Sequence, residues 1–143
     1  MKRQDILENQ AKIVFLGIGS NLGIRKRNIE KAKFLLAEYN LDFLSVSSYY
    51  ETPSWPDPTK PKFLNIILKL KCFYNPQELL EICKSIETQL GRKKTKKNDP
   101  RTCDLDIIDF NKMVSKKNAI INLPHKMMHK RNFVLFPLFE IEK

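Results

Sequence analysis

An α+β sandwich, with two helices packed against an antiparallel sheet, is the fold class this sequence predicts. Three observations carry that expectation. Apolar residues switch between period 2 and period 3.6 in the order strand, helix, strand, strand, helix, strand. Clusters of turn-forming residues separate these segments. The 143 residues suit one domain, and a chain of that size buries roughly two thirds of its unfolded surface, so it needs no covalent staple to fold.

Lys12 to Gly19 reads as a buried strand. Ile13, Val14, Phe15, Leu16 and Ile18 run into the turn-forming cluster Gly19-Ser20-Asn21-Leu22-Gly23. A helix follows from about Arg25 to Tyr39, because Ile29, Ala32, Leu35, Leu36 and Tyr39 recur at helical spacing and Asn40 suits its end. Its first residues, Arg25, Lys26 and Arg27, oppose the helix dipole, and nothing local accounts for them. The stretch Gly17 to Gly23 invites a dinucleotide-binding reading. Its glycine spacing misses by one residue and no doubly wound pattern follows, so a tight turn bringing backbone close to a ligand is the better reading.

Phe43 to Thr52 is β-branched and aromatic enough for a second strand. Four prolines between Pro53 and Pro61 then forbid regular pairing and stiffen a long loop. Phe63 to Phe73 alternates as a third strand: Leu64, Ile66, Leu68, Leu70 and Cys72 face one way, Phe63, Asn65, Ile67, Lys69 and Lys71 the other. Asn75-Pro76-Gln77-Glu78 opens a helix, with Asn75 as cap, Pro76 in the first turn and Glu78 reaching back. Leu79, Leu80, Ile82, Cys83, Ile86 and Leu90 form its apolar stripe, and Gly91 ends it. A basic loop leads to a strand from Cys103 to Phe110. Asn111 to Asn122 reads as a turn with short strands, and Met127 to Ile141 as a partly helical segment interrupted by Pro137. This order is that of a ferredoxin-like sandwich, with both helices on one sheet face and the other face free for ligands. Residues 1–143 make a single domain, with 1–11 expected to be a poorly ordered extension.

The formal charge of +10 arises from 26 Lys and Arg against 16 Asp and Glu, which suits an anionic partner. Cys72, Cys83 and Cys103 lack metal-ligand spacing and stand at apolar positions, so they read as reduced core thiols of a cytoplasmic protein. Residues 1–11 carry no secretory signal, and no apolar run approaches the ~20 residues of a membrane helix.

The chemistry concentrates at Pro100-Arg101-Thr102-Cys103-Asp104-Leu105-Asp106. In a strand, Asp104 and Asp106 share a face roughly 6.5–7 Å apart, where two carboxylates hold hard cations whose coordination substrate phosphates complete. An isolated Asp-x-Asp is weak evidence, since charged residues also mark solvated strand edges. Arg92, Lys93, Lys94, Lys96, Lys97 and Arg101 crowd just before the pair. In a chain that prefers Lys, the arginines stand out, because a guanidinium grips phosphate at two points. Phe63 with Asn65, and Trp55 with Pro53, offer a ring and an amide to a flat, hydrogen-bonding heterocycle; read singly, Phe63 fits a core and Trp55 a loop anchor.

In order along the chain stand Gly-Ser-Asn-Leu-Gly at 19–23, Tyr50-Glu51-Thr52-Pro53, Phe63-Leu64-Asn65, Pro100 to Ile107, Leu123-Pro124-His125, Arg131, Phe133 and Pro137-Leu138. Together these resemble the hydroxymethyldihydropterin pyrophosphokinase family of folate biosynthesis. The resemblance implies a ferredoxin-like monomer that moves pyrophosphate from ATP to the pterin hydroxymethyl group and releases AMP, with no membrane or nucleic-acid partner. It implies two Mg²⁺ ions on Asp104 and Asp106, with Arg92 and Arg101 as further catalytic residues. Thr52, Pro53, Trp55, Phe63, Asn65 and Phe133 would bind pterin; Phe63 stands where tyrosine is frequent in the family. Glu87, Arg92, Lys94, Arg101, Ile107, His125 and Arg131 would meet ATP. The loop before Arg101 carries Asn98 and Asp99 where the family often has Trp and Gly. Two other classes stay open on the residues alone: a basic sheet that stacks RNA bases, and a noncatalytic relative that binds pterin or nucleotide.

Overall fold

The computed structural model of the chain describes residues 10–54, 56–91 and 100–112. Seven elements follow in order: β1 (Lys12–Ser20), α1 (Arg25–Ala37), β2 (Asp42–Val46), β3 (Tyr50–Thr52), β4 (Phe63–Cys72), α2 (Pro76–Gln89) and β5 (Asp104–Phe110). The sheet order is β2-β4-β1-β5, with β3 also on β4, and every pairing is antiparallel. This is the ferredoxin-like α+β arrangement expected from the element order.

One sheet face carries the core. Val14, Leu16 and Ile18 of β1, Ile66, Leu68, Leu70 and Cys72 of β4, and Leu105, Ile107 and Phe110 of β5 pack against Ile29, Ala32 and Leu36 of α1 and Leu79, Ile82, Cys83 and Ile86 of α2. Each fully buried side chain of this kind contributes roughly 1.5–3 kcal/mol. Helix α2 starts as its sequence dictates: Glu78 N–H donates to Asn75 Oδ1 at 2.8 Å, and Asn75 N–H donates to Glu78 Oε1 at 3.0 Å. Gly91, at φ 89°, lets the chain leave it, and Asn40 at φ 61° does the same after α1. All three cysteines are free and buried. Burial pushes the Cys72 and Cys83 thiols up, and for Cys83 the negative charges of Glu87 and then Asp106 add to it.

Three details depart from the sequence expectation. The strand expected over 43–52 is two strands, because Ser47 replaces the ladder at the break. Its N–H donates to Ile67 carbonyl at 2.9 Å, and its Oγ accepts from Ile67 N–H at 2.8 Å. Second, β1 runs one residue beyond the expected end at Gly19 to include Ser20, so the turn begins only at Asn21. Third, the β1–β5 register slips between Phe15 and Leu16, which pair with Asp109 and Ile107. Ile108 is the extra residue of that bulge. The slip returns Phe110 to the core and spares Asp109 from burial there. Among the described residues, no helix is long and apolar enough to cross a membrane.

Candidate active site

Strand β1 lies between β4 and β5, and its register decides what faces what. Gly19 stands opposite Asn65 on β4 and Asp104 on β5, and Gly17 stands opposite Ile67 and Asp106. Directly opposed residues share a face, so the side away from the helices presents two rows, Asn65-Gly19-Asp104 and Ile67-Gly17-Asp106. With neighbouring strands about 4.8 Å apart, β4 and β5 are roughly 10 Å from each other across bare backbone. The glycines make a floor between an amide and a carboxylate pair.

That floor has no room for side chains. A Cβ on Gly19 would stand 2.8 Å from Asn65 Oδ1 and 3.4 Å from Phe63 Cδ1. On Gly17 it would meet Ile108 Cδ1 at 3.1 Å and Ile67 Cδ1 at 3.5 Å, flexible groups that yield more easily.

The β4 side is preassembled. Asn65 is 4% exposed. Its Nδ2 donates to Thr52 Oγ1 at 3.0 Å and more weakly to Tyr50 carbonyl at 3.4 Å, while Oδ1 lies over Gly19. Thr52 pairs directly with half-buried Phe63, and Pro53 follows exposed. Four of the six residues proposed for the heterocycle thus lie together: Thr52, Pro53, Phe63 and Asn65.

On the β5 side, Asp104 and Asp106 are half-buried and project opposite to core-facing Leu105 and Ile107. Arg101 Nη1 is 3.3 Å from Asp104 Oδ2, with side chains 22% and 20% exposed. This places one guanidinium beside the acid pair. Glu87, buried in α2, accepts the Leu105 N–H through Oε2 at 2.8 Å. It therefore anchors the backbone between the two aspartates, from the far side of the strand. The Ile107 side chain is in the core opposite Leu16. Trp55, Arg92, Lys94, His125, Arg131 and Phe133 lie outside the described residues.

Asn21 is the site residue that sequence reasoning missed. Only 2% exposed, it donates its N–H to Arg101 carbonyl (3.1 Å) and accepts Arg101 N–H on Oδ1 (2.7 Å). Its Nδ2 donates to Pro61 carbonyl at 3.1 Å. One buried amide ties Arg101 to the proline-rich loop. Its partners are 80 and 40 residues away in sequence, and a turn cluster gives no hint of either.

The donor set fits a hard cation brought in with a polyphosphate. Two same-face carboxylates supply oxygen ligands, and among the described residues no third His, Cys, Asp or Glu joins them in a closed metal cage.

A carboxylate pair on β5 facing a buried amide on β4 across a bare floor defines the class: a ferredoxin-like α+β protein with two polar groups of opposite character on either side of one glycine-bearing strand. Comparison with known proteins gives the family. The family model for 7,8-dihydro-6-hydroxymethylpterin-pyrophosphokinase matches residues 15–143. A protein of Aquifex aeolicus named 2-amino-4-hydroxy-6-hydroxymethyldihydropteridine pyrophosphokinase is 40% identical over 129 residues, covering 90% of this chain and 79% of its own length. One of the same name from Bacillus subtilis is 39% identical over 130 residues, covering 90% and 77%. The folic acid synthesis protein fol1 of Schizosaccharomyces pombe is 36% identical over 131 residues, 91% of this chain and 18% of that longer protein. The chain belongs to the 7,8-dihydro-6-hydroxymethylpterin-pyrophosphokinase family.

Proposed function

We propose that this protein transfers pyrophosphate from ATP to the hydroxymethyl group of 6-hydroxymethyl-7,8-dihydropterin, releasing AMP, in folate biosynthesis. The observation that supports this most directly is the pair of rows in which Asn65 and Asp104 flank Gly19 and Ile67 and Asp106 flank Gly17. The reaction joins the pterin hydroxymethyl oxygen to the β-phosphorus of ATP and breaks the bond from that phosphorus to the oxygen left on AMP. Such a transfer needs alignment and charge neutralisation more than covalent help from the protein.

Asn65, with its amide nitrogen held by Thr52, offers Oδ1 to an N–H of the heterocycle. Phe63 supplies an aromatic face and Thr52 and Pro53 backbone contacts, while Trp55 and Phe133 complete the pterin set. Arg101 neutralises phosphate charge, and its backbone is held for that purpose by Asn21. Arg92, Lys94, His125 and Arg131 join it on ATP, as do Glu87 and Ile107 through the strand they brace. Asp104 and Asp106 would hold two Mg²⁺ ions. When bound, these lower the pKa of the attacking hydroxyl and neutralise charge on the transferring phosphates. A monomer in the cytoplasm, as expected from the sequence, belongs to the same proposal.

RNA binding is less well supported, since two carboxylates on the ligand face repel a phosphate backbone. The test is incubation with ATP, Mg²⁺ and hydroxymethyldihydropterin. AMP should accumulate in step with pterin consumption. Formation of ADP alone, or no nucleotide turnover, overturns the proposal.

A further inference from the structure

Three cations open α1, yet Ile24 makes no side-chain cap and the first turn holds no acidic residue. Positive charge there opposes the helix dipole, so helix formation gives no reason for Arg25, Lys26 and Arg27. For Arg25 the tertiary structure supplies one. Its Nη2 donates to Glu51 Oε2 at 2.7 Å, and its Nη1 donates to Lys62 carbonyl at 3.0 Å.

Those two partners lie on opposite limbs of one loop. Glu51 is in β3, one residue before Thr52, and Lys62 immediately precedes Phe63 of β4. Because β3 has only three residues, Thr52 with Phe63 is the last ladder pair before the loop of 53–62 departs. A single planar guanidinium extends the closure past that pair, which a lysine ammonium with its one point of charge does poorly. Arg25's hydrogen bond and then its charge lower the Glu51 carboxyl from its ordinary value. Lys62 Nζ also reaches Glu51 Oε1, at 4.0 Å. The next carbonyl back, that of Pro61, is taken by Asn21. The exit of the loop is thus held by one side chain from the β1–α1 connection, Asn21, and one from the first residue of α1, Arg25.

We infer that Arg25 is a positioning residue for the heterocycle half of the site, fixing the loop exit so that Thr52, Phe63 and Asn65 meet the pterin in their preassembled arrangement. The inference rests on the function proposed above. Lys26 has a separate use, with Nζ 5.4 Å from the centroid of the Tyr49 ring.

The test is steady-state kinetics and equilibrium pterin binding, the latter followed by ligand fluorescence, on the full chain. Arg25→Ala should raise the pterin KM and Kd about fivefold, the upper end for a part-exposed ion pair. Its kcat and ATP KM should stay within about twofold, and its Tm should change little, since the lost ion pair and the relieved helix-dipole repulsion are of similar size and opposite sign. Arg25→Lys, which keeps the charge but not the planar fork that spans both acceptors, should lie between. Glu51→Gln should shift the pterin KM in the same direction, and the double variant should be little worse than Arg25→Ala alone. An unchanged pterin KM in Arg25→Ala, or an equal rise for ATP, overturns the inference while leaving the proposed reaction standing. A wild-type protein that neither binds the pterin nor forms AMP overturns both.

Discussion

The two sides of the glycine floor differ in where their order comes from. On the β4 side, order lies in the side chains: Asn65 is buried, its nitrogen is held by Thr52, and its oxygen lies over Gly19. On the β5 side it lies in the backbone, with Asn21 clamping Arg101 and Glu87 clamping Leu105 while Asp104 and Asp106 stay half-exposed. The difference matches the two recognition problems of the proposed reaction. A heterocycle is told apart by fixed donors and acceptors, because a site left with an unmatched buried polar group rejects the wrong ligand. A cation-bound polyphosphate needs charge at the right place, and its coordination is completed by the ligand itself.

That contrast predicts which variants fail, and how. The largest effect should come from Asp104→Asn or Asp106→Asn. Each keeps size and strand pairing but removes a hard anionic ligand, so AMP formation should fall about 10³-fold or more, with the thermal transition little changed. Near-normal rates in both would remove the metal assignment.

Asn21→Ala comes next and should blur the contrast, because Asn21 belongs to both sides. It deletes two side-chain hydrogen bonds of a buried amide and leaves the Arg101 N–H unmet, for a loss of about 2–3 kcal/mol in denaturant unfolding. The KM for both substrates should rise. A rise for one alone would assign Asn21 to that side.

Glu87→Leu should have the smallest kinetic effect. It strands a buried N–H on Leu105 and should cost about 1–3 kcal/mol of stability, with Glu87→Gln costing less because its amide oxygen still accepts that bond. If kcat falls as steeply as in the aspartate variants while stability holds, Glu87 acts directly on substrate rather than through β5.

Much of this frame was legible in the chain because its signals are local. The alternation of β4, the Asn75–Glu78 capping box and the stripe of α2 depend on neighbours within a few residues, and each forms as read. The same-face placement of Asp104 and Asp106 needed only strand period. What escaped depends on partners far off in sequence. Ser47 breaks a strand by bonding Ile67, and Ile108 bulges because of register with β1. Asn21 looked like a turn residue until Arg101 and Pro61 came beside it. The glycines show the limit best: Gly17 and Gly19 fall within the strand read from Lys12 to Gly19, and both lie in a paired strand, but alternation alone assigns them no task there. Their use is an absent Cβ, which only cross-strand register reveals.

The central claim, that one strand of glycine backbone separates a heterocycle half-site from a phosphate half-site, is tested most directly at Gly19. Its added methyl in Gly19→Ala would press on Asn65 Oδ1 at 2.8 Å and displace the amide, leaving the β5 clamps untouched. The measurement is paired affinity for Mg²⁺-bound nucleotide and for hydroxymethyldihydropterin. Pterin affinity should fall roughly tenfold, the upper end of what one hydrogen bond contributes net, while nucleotide affinity stays within about twofold. Equal loss of both, or an unchanged pterin affinity, would contradict the division.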